Sequence, residues 1–436
     1  MKVTQKKLEG DMLRLEATAT VAEVDQAFQA AQIAFAQQMN LRPQGGETIA
    51  QAAEETLGIK DLDPVVEPQA AEYLVPFAFD KKNIVPAYPP HVEAKSPLKR
   101  GAEYAFALDF EKKPEYELSS YDKVSFSIEP LELNEREVDN QIAQMAESYA
   151  DYVGADPHPV EKGDHVLLAI EATRNGEPMA GLTTDARTYT TGGGFMPDGF
   201  DENVIGMDVG ETKSFTFTAP SLDDTGGEAE ETIACTVTVK EIQKRVIPAI
   251  TDAWVKENMP MVTGLDGLKG MIREELMRSH KEEYERYKRQ LASSELAKRF
   301  QGKIADPVYE AMQSNIVSNL QMQLQRQNIS LEKFIEENGG QQQFSMMMMM
   351  QTRQNLIEGY SLDALFRHEK MALSEDDIFE ACRAMSPQQP QMVREQMEKA
   401  GCGFILRESA SRMKANRWLV ENADITVAKA GSPEGA

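Results

Sequence analysis

Apolar positions along this chain change their spacing several times, and each change marks a region. Near the N-terminus Leu13, Leu15 and Ala17 alternate with polar neighbours, as in a half-buried strand. A helical stripe follows at Val24, Phe28, Ala31 and Phe35. A proline-dotted stretch separates it from a second strand at Tyr104 to Phe110, and Val124, Phe126 and Ile128 alternate as a further extended segment. Residues 134 to 150 turn helical: Asn134 is placed to cap, Glu137 sits at the capping-box position, and Val138, Ile142 and Met145 share one face.

Between 152 and 248 glycine becomes dense and strands dominate. Val166 to Ile170, Ser214 to Thr218 and Ile233 to Val239 read as strands, and Asn175-Gly176 signals a hairpin. This predicts an antiparallel β domain with room for one short helix. From about 251 the pattern is helical almost to the end. Thr263 is placed to cap a long helix running to about Phe300, with Leu265, Leu268, Ile272 and Leu276 on its apolar side. Asp306 as cap and Pro307 as first helical residue open a second, and Ser374 with Asp377 opens a third. Gly401 to Ala423 holds a last amphipathic helix before a tail of small residues, Ala428 to Ala436. The run Met346 to Met350 has no period of its own, so it reads equally as a buried helical turn or an exposed apolar face.

Composition narrows the function classes. At 436 residues, 41% apolar and 27% charged, the chain can build two to four domains with real cores. No run of 18 apolar residues occurs, so no membrane helix is expected. Residues 1 to 10 are polar and lack the apolar core of a secretion signal. Cys235, Cys382 and Cys402 fall in no ligand spacing, and so odd and sparse a count fits a reducing cytoplasm and argues against a disulfide framework. A net charge of −25 repels nucleic-acid phosphates, so DNA is not an expected partner. The 23 methionines are an excess, and flexible thioethers suit surfaces that repack against many partners.

No hydrolase triad, P-loop, metal-ligand spacing or dinucleotide fingerprint appears, so no cofactor or metal is expected. Gly192-Gly193-Gly194 opens no βαβ unit and reads as a tight loop. The stretch Thr191 to Thr212 is more specific: a glycine loop, a short helix opening with Gly199-Phe200, then Gly206-Met207-Asp208-Val209-Gly210-Glu211 before a strand. It resembles the centre of FKBP-type peptidyl-prolyl isomerases, and Glu161 to Val166 resembles the lead into that domain's first strand. The wider chain resembles the bacterial trigger factor family, through Phe110 to Leu118, Ile247 to Asp252 and the helical half that follows.

The resemblance implies an α+β multidomain fold. An N-terminal α+β ribosome-binding-like domain spans 1–117, and a linker with a helix returning toward the C-terminal domain spans 118–151. A central FKBP-like antiparallel β half-barrel with a short helix spans 152–248, and an all-α chaperone domain with helical arms spans 249–436. It further implies a cytoplasmic chaperone, monomer or weak dimer, that binds unfolded or nascent polypeptides. The isomerase-like pocket would be formed by Phe200, Met196, Ile170 and Met179. That pocket departs from the family. Ile170, Met179, Arg187 and Cys235 stand where it has other pocket aromatics, Ala180 where it has an acid, and Pro197 where it uses a main-chain N–H. Weak or absent isomerisation is therefore expected. The family's ribosome-docking loop corresponds to Met39 to Glu47, where Arg42 and a glycine survive. Expected client contacts are Met322, Leu324, Phe344 and Met348 with the rest of the methionine run. Two alternatives stay open: an active prolyl isomerase, and an assembly chaperone that works without ribosomes.

Overall fold

The structure, a computed structural model, describes residues 1–43, 45–174, 176–196, 198–222, 228–327 and 329–428. Asn175, Pro197 and most of the C-terminal tail, on which sequence expectations rested, lie outside the described residues. The chain divides into two compact units: Met1–Pro130 with Glu283–Ala436, and Leu131–Glu282.

In the larger unit a four-stranded antiparallel sheet runs in the order Lys2–Lys7, Met12–Ala19, Tyr104–Glu111, His91–Ala94. Thr20 and Glu23 form a capping box that starts the helix Val21–Gln38, whose buried side carries Val24, Phe28, Ala31 and Phe35 as the sequence spacing predicts. The proline-dotted stretch holds two helices that the sequence pattern concealed, Ile49–Leu57 and Asp63–Lys82. The second contains Pro68 and Pro76 in its interior. Each proline removes a main-chain hydrogen bond, a cost of about 3 kcal/mol. Burial of Val66, Ala70, Leu74 and Ala78 on a four-residue spacing offsets it.

The C-terminal part of this unit is helical. Asp306–Arg326 contacts Gly340–His368, and the latter also contacts Gly403–Glu421. Two cap expectations and one helix end are corrected. Ala305, not Asp306, caps the helix that begins at Asp306, and it offers no side-chain bond. The preceding helix is Gly264–Ala297, and Phe300 already belongs to a two-residue strand paired with Glu117–Leu118. Glu137 closes no capping box; Asn134 caps through Arg136 N, and Glu137 pairs instead with His280 at 3.0 Å. Ser374 and Asp377 do form their box. A strand missed in the sequence, Asp424–Val427, pairs in parallel with Ser125–Ile128.

The smaller unit is built on an antiparallel sheet in the order Thr184–Thr190, His165–Arg174, Glu228–Val246, Thr212–Leu222. Asp151–Gly154 pairs with the long strand Glu228–Val246, and the two-residue strand Glu177–Pro178 pairs with His165–Arg174. Gly176, at φ +85°, supplies the left-handed turn conformation of that hairpin. The short helix Asp198–Val204 lies against the strand Thr212–Leu222. A sheet carrying one short helix is what the sequence pattern predicted for this stretch.

Candidate functional site

The short helix positions the apolar site of the smaller unit. Gly199 lets the helix come close to the sheet, since a Cβ there would stand 3.3 Å from Phe217 Cβ. The next residue, Phe200, is thereby driven fully inside. Its ring meets three others edge-on, with centroids at 5.4 Å from Tyr189, 5.7 Å from Phe215 and 5.6 Å from Phe217. Ile170 and Cys235 complete the floor, and Met179 and Met196 pack against the same cluster while partly exposed. All four pocket residues named from the sequence thus belong to one apolar cluster. Arg187 and Ala180 do not: both are exposed, and the Arg187 guanidinium donates to Gly181 O.

Sequence reasoning passed over the polar element of this site. Tyr189 donates its hydroxyl to Asp201 Oδ1 at 2.6 Å, with both side chains buried. Desolvation, reinforced by that bond and the nearby negative charge, pushes the Tyr189 phenol upward. Tyr189 is the single buried residue of the strand Thr184–Thr190, whose sequence shows no apolar alternation, so only the adjacency of Asp201 to Phe200 hinted at the pair. Beside this cluster Phe195 is 82% exposed at the end of the glycine loop.

The second candidate region is the helix Gly340–His368. Phe344, Met348 and Thr352 recur every four residues and are all buried. Met346, Met347, Met349 and Met350 lie off that line and are exposed by 42 to 65%. The open question about the methionine run is resolved by geometry: one of the five packs and four face solvent. Of the expected client contacts, Met322 is exposed, whereas Leu324, Phe344 and Met348 are buried. Phe344 and Met348 lie on the buried i, i+4 line of their helix, so their side chains serve the protein's own interior in this structure.

Arg42 is exposed in the turn between the helices Val21–Gln38 and Ile49–Leu57, with Gly45 and Gly46 following in the left-handed conformation. Inside the larger unit a charged cluster ties the chain's two ends together. Asp363 accepts two bonds from Arg412 at 3.0 Å each and is also bonded by Lys113, which in turn reaches Glu408. Burial works against the Asp363 charge, but Arg412 and Lys113 hold its carboxyl below the usual range.

Two family models match this architecture. Residues 1–145 match the bacterial trigger factor protein, and residues 264–421 match the bacterial trigger factor protein C-terminus. Together they cover well over half of the chain. The chain belongs to the bacterial trigger factor family. Its similarity to individual members is low but long. It is 26% identical to the trigger factor of Pelotomaculum thermopropionicum over 82% of this chain and 83% of that one. It is 23% identical to that of Thermobifida fusca over 98% of this chain and 92% of that one. A solved trigger factor chaperone structure aligns over 97% of this chain and 99% of that one, at 17% identity and a TM-score of 0.42. This family member is a molecular chaperone that assists protein folding, and its family carries an FKBP-type isomerase domain. No helix among the described residues is long and apolar enough to cross a membrane.

Proposed function

We propose that the chain holds unfolded or nascent polypeptides on the exposed thioethers of its C-terminal helices, and that its isomerase-like cluster binds apolar segments with little catalysis. It acts in the cytoplasm, as a monomer or weak dimer. The observation that carries the first part is the exposure of Met346, Met347, Met349 and Met350, fixed above a buried Met348. Unbranched thioethers adapt their shape to different clients. Many weak contacts hold a chain and still release it, because no single pocket sets the affinity. The negative surface charge keeps the loaded chaperone dispersed. The test is aggregation of guanidinium-unfolded citrate synthase with the full chain and with the quadruple Met→Gln variant at these positions. Holding by the variant equal to wild type would refute the reading.

Support for weak catalysis comes from the site's contents. Rotation of an Xaa-Pro amide has a barrier of roughly 18–20 kcal/mol. A site lowers that barrier only by binding the twisted state better than the planar one. Phe200 and Ile170 are withdrawn into the core, and the positions beside them where the family resemblance implies aromatic side chains hold Met179 and Cys235. The second reading, an active isomerase, is favoured by the four-ring cluster of Tyr189, Phe200, Phe215 and Phe217. A proline-limited refolding assay on the full chain separates the two, and fast catalysis selects the second.

Ribosome docking rests in this proposal on Arg42 alone. Loss of one phosphate contact reduces both affinity and its salt dependence. Cosedimentation with ribosomes at low salt, with and without Arg42→Ala, is the check; no difference between the two would remove Arg42 from the docking surface.

A further inference from the structure

The accessible sulfur of this chain is mostly thioether. Its three thiols are withdrawn: Cys235 and Cys382 are buried and Cys402 is partly covered. Desolvation raises all three from their usual range, Cys235 to about 11. An oxidant reacts with the thiolate, so these cysteines react slowly at neutral pH. A methionine needs no deprotonation, and its susceptibility follows exposure.

Exposed methionines are scattered over the molecule, but they are dense in one place. Met346, Met347, Met349 and Met350 are 56%, 42%, 62% and 65% exposed, within five residues of one helix. Met348 among them is 3% exposed, in line with buried Phe344 and Thr352. The helix therefore offers four sulfurs to solvent and keeps the fifth for its own packing.

We propose that Met346, Met347, Met349 and Met350 form a reversible oxidation site that switches off client holding. The proposal rests on the reading that these side chains grip clients. The oxidant class is a peroxide. A sulfur lone pair attacks one peroxide oxygen, the O–O bond breaks and an S–O bond forms. The leaving oxygen departs as water, carrying the proton from its partner. Sulfur loses two electrons and the peroxide gains them. A dithiol-dependent sulfoxide reductase reverses the step, returning the oxygen as water and ending with a disulfide on the reductase. Each sulfoxide replaces a flexible apolar tip by a polar one. Four such changes side by side remove several weak contacts at once, and multivalent holding falls faster than any single contact. Met348 is shielded, so the helix keeps its packing and the switch is not an unfolding event.

The test treats the full chain with limiting hydrogen peroxide, maps sulfoxide by peptide mass spectrometry and measures aggregation of guanidinium-unfolded citrate synthase. The four exposed positions are expected to oxidise roughly fivefold faster than Met348. The chaperone concentration needed to keep the client soluble is expected to rise roughly threefold, and reductase treatment to restore it. Met261, 96% exposed in the smaller unit, oxidises as well, and the M261L chain should lose holding just as wild type does. The quadruple Met→Leu chain should hold client before and after peroxide, because leucine stays apolar and cannot be oxidised. An oxidised wild type that holds as well as the reduced one overturns the proposal. So does a quadruple Leu chain that loses holding to the same extent. If the unoxidised quadruple Gln chain holds like wild type, the client-face reading itself fails and the switch fails with it, by a result that needs no oxidant.

Discussion

The sheet unit and the methionine helix both concentrate apolar side chains, and they use them in opposite ways. Around Phe200 the rings of Tyr189, Phe215 and Phe217 each meet it edge-on, and the cluster closes over it while Met179 and Met196 at its edge stay partly exposed. Along Gly340–His368 a single line of Phe344, Met348 and Thr352 does the packing, and four methionines stay outside. An apolar sequence segment therefore does not state which use it serves. What decides is whether neighbouring elements surround it, as strands and a helix do for Phe200, or cover only one side. An isolated exposed apolar residue is ordinary, but a contiguous set of four is a binding surface or a liability.

The strongest way to break the contrast is to open the closed site. Phe200→Ala removes a fully buried ring and leaves a cavity among three aromatic partners. Such changes cost about 3–5 kcal/mol. Hydrogen exchange should show the strands Thr212–Leu222 and His165–Arg174 losing protection, while the helices of the larger unit keep theirs. A loss confined to local stability with client holding intact sharpens the division of labour; a loss of holding of the same size as that from the quadruple Gln chain would end it.

Within the helix the same comparison can be made at a single residue. Met348→Ala deletes a side chain that is 3% exposed. Methionine to alanine in a packed position costs about 2–5 kcal/mol, read here as faster amide exchange along Gly340–His368. An unchanged exchange pattern would mean that Met348 belongs with its four exposed neighbours.

Much of this was legible in the sequence, and the illegible parts have physical reasons. The strand alternation and the glycine-rich stretch gave the sheet and its short helix, since local periodicity records which face is buried. The helix Asp63–Lys82 was hidden because Pro68 and Pro76 argue against it locally, and only tertiary burial of Val66, Ala70, Leu74 and Ala78 overrides them. The strand Asp424–Val427 was hidden because its partner, Ser125–Ile128, lies nearly three hundred residues away in the chain. Phe200, Ile170, Met179 and Met196 were found as one cluster, but the Tyr189–Asp201 pair was not, because a buried hydrogen bond across two elements leaves no spacing to read. A homogeneous methionine run carries no phase, so only the structure could assign Met348 inward.

Acid should separate the two units. In the larger one Asp377 is buried, which opposes its charge. Bonds from Lys414, the Ser374 main chain and hydroxyl, and Arg417 outweigh this and hold it well below the ordinary carboxylate range. Asp363 is depressed in the same sense. A carboxylate lowered on folding stabilises the native state above its unfolded pKa of about 3.9. That contribution falls away as pH drops toward and through the folded value. The larger unit, followed by Trp418 fluorescence in a W254F chain, should therefore lose urea resistance between about pH 5 and pH 3. Asp377→Asn should flatten that acid limb and lower resistance at pH 7. Among the described residues the ring cluster of the smaller unit contains no such ion pair, so its strands should keep their exchange protection to lower pH. Simultaneous loss in both units would contradict this.

The smallest expected effect is the most discriminating. Met349→Ala removes as many atoms as Met348→Ala, one residue along the same helix, but from a side chain that is 62% exposed. Surface truncations of this kind change stability by no more than about 0.5 kcal/mol, and alanine is the better helix former. Exchange along Gly340–His368 should therefore be indistinguishable from wild type. Holding of unfolded citrate synthase should decline slightly, since one of four adjacent contacts is gone. Chemistry and sequence environment are nearly the same at the two positions. A large stability cost at Met349 would therefore show that the exposed face is structural, and the distinction between a closed cluster and an open one would not survive it.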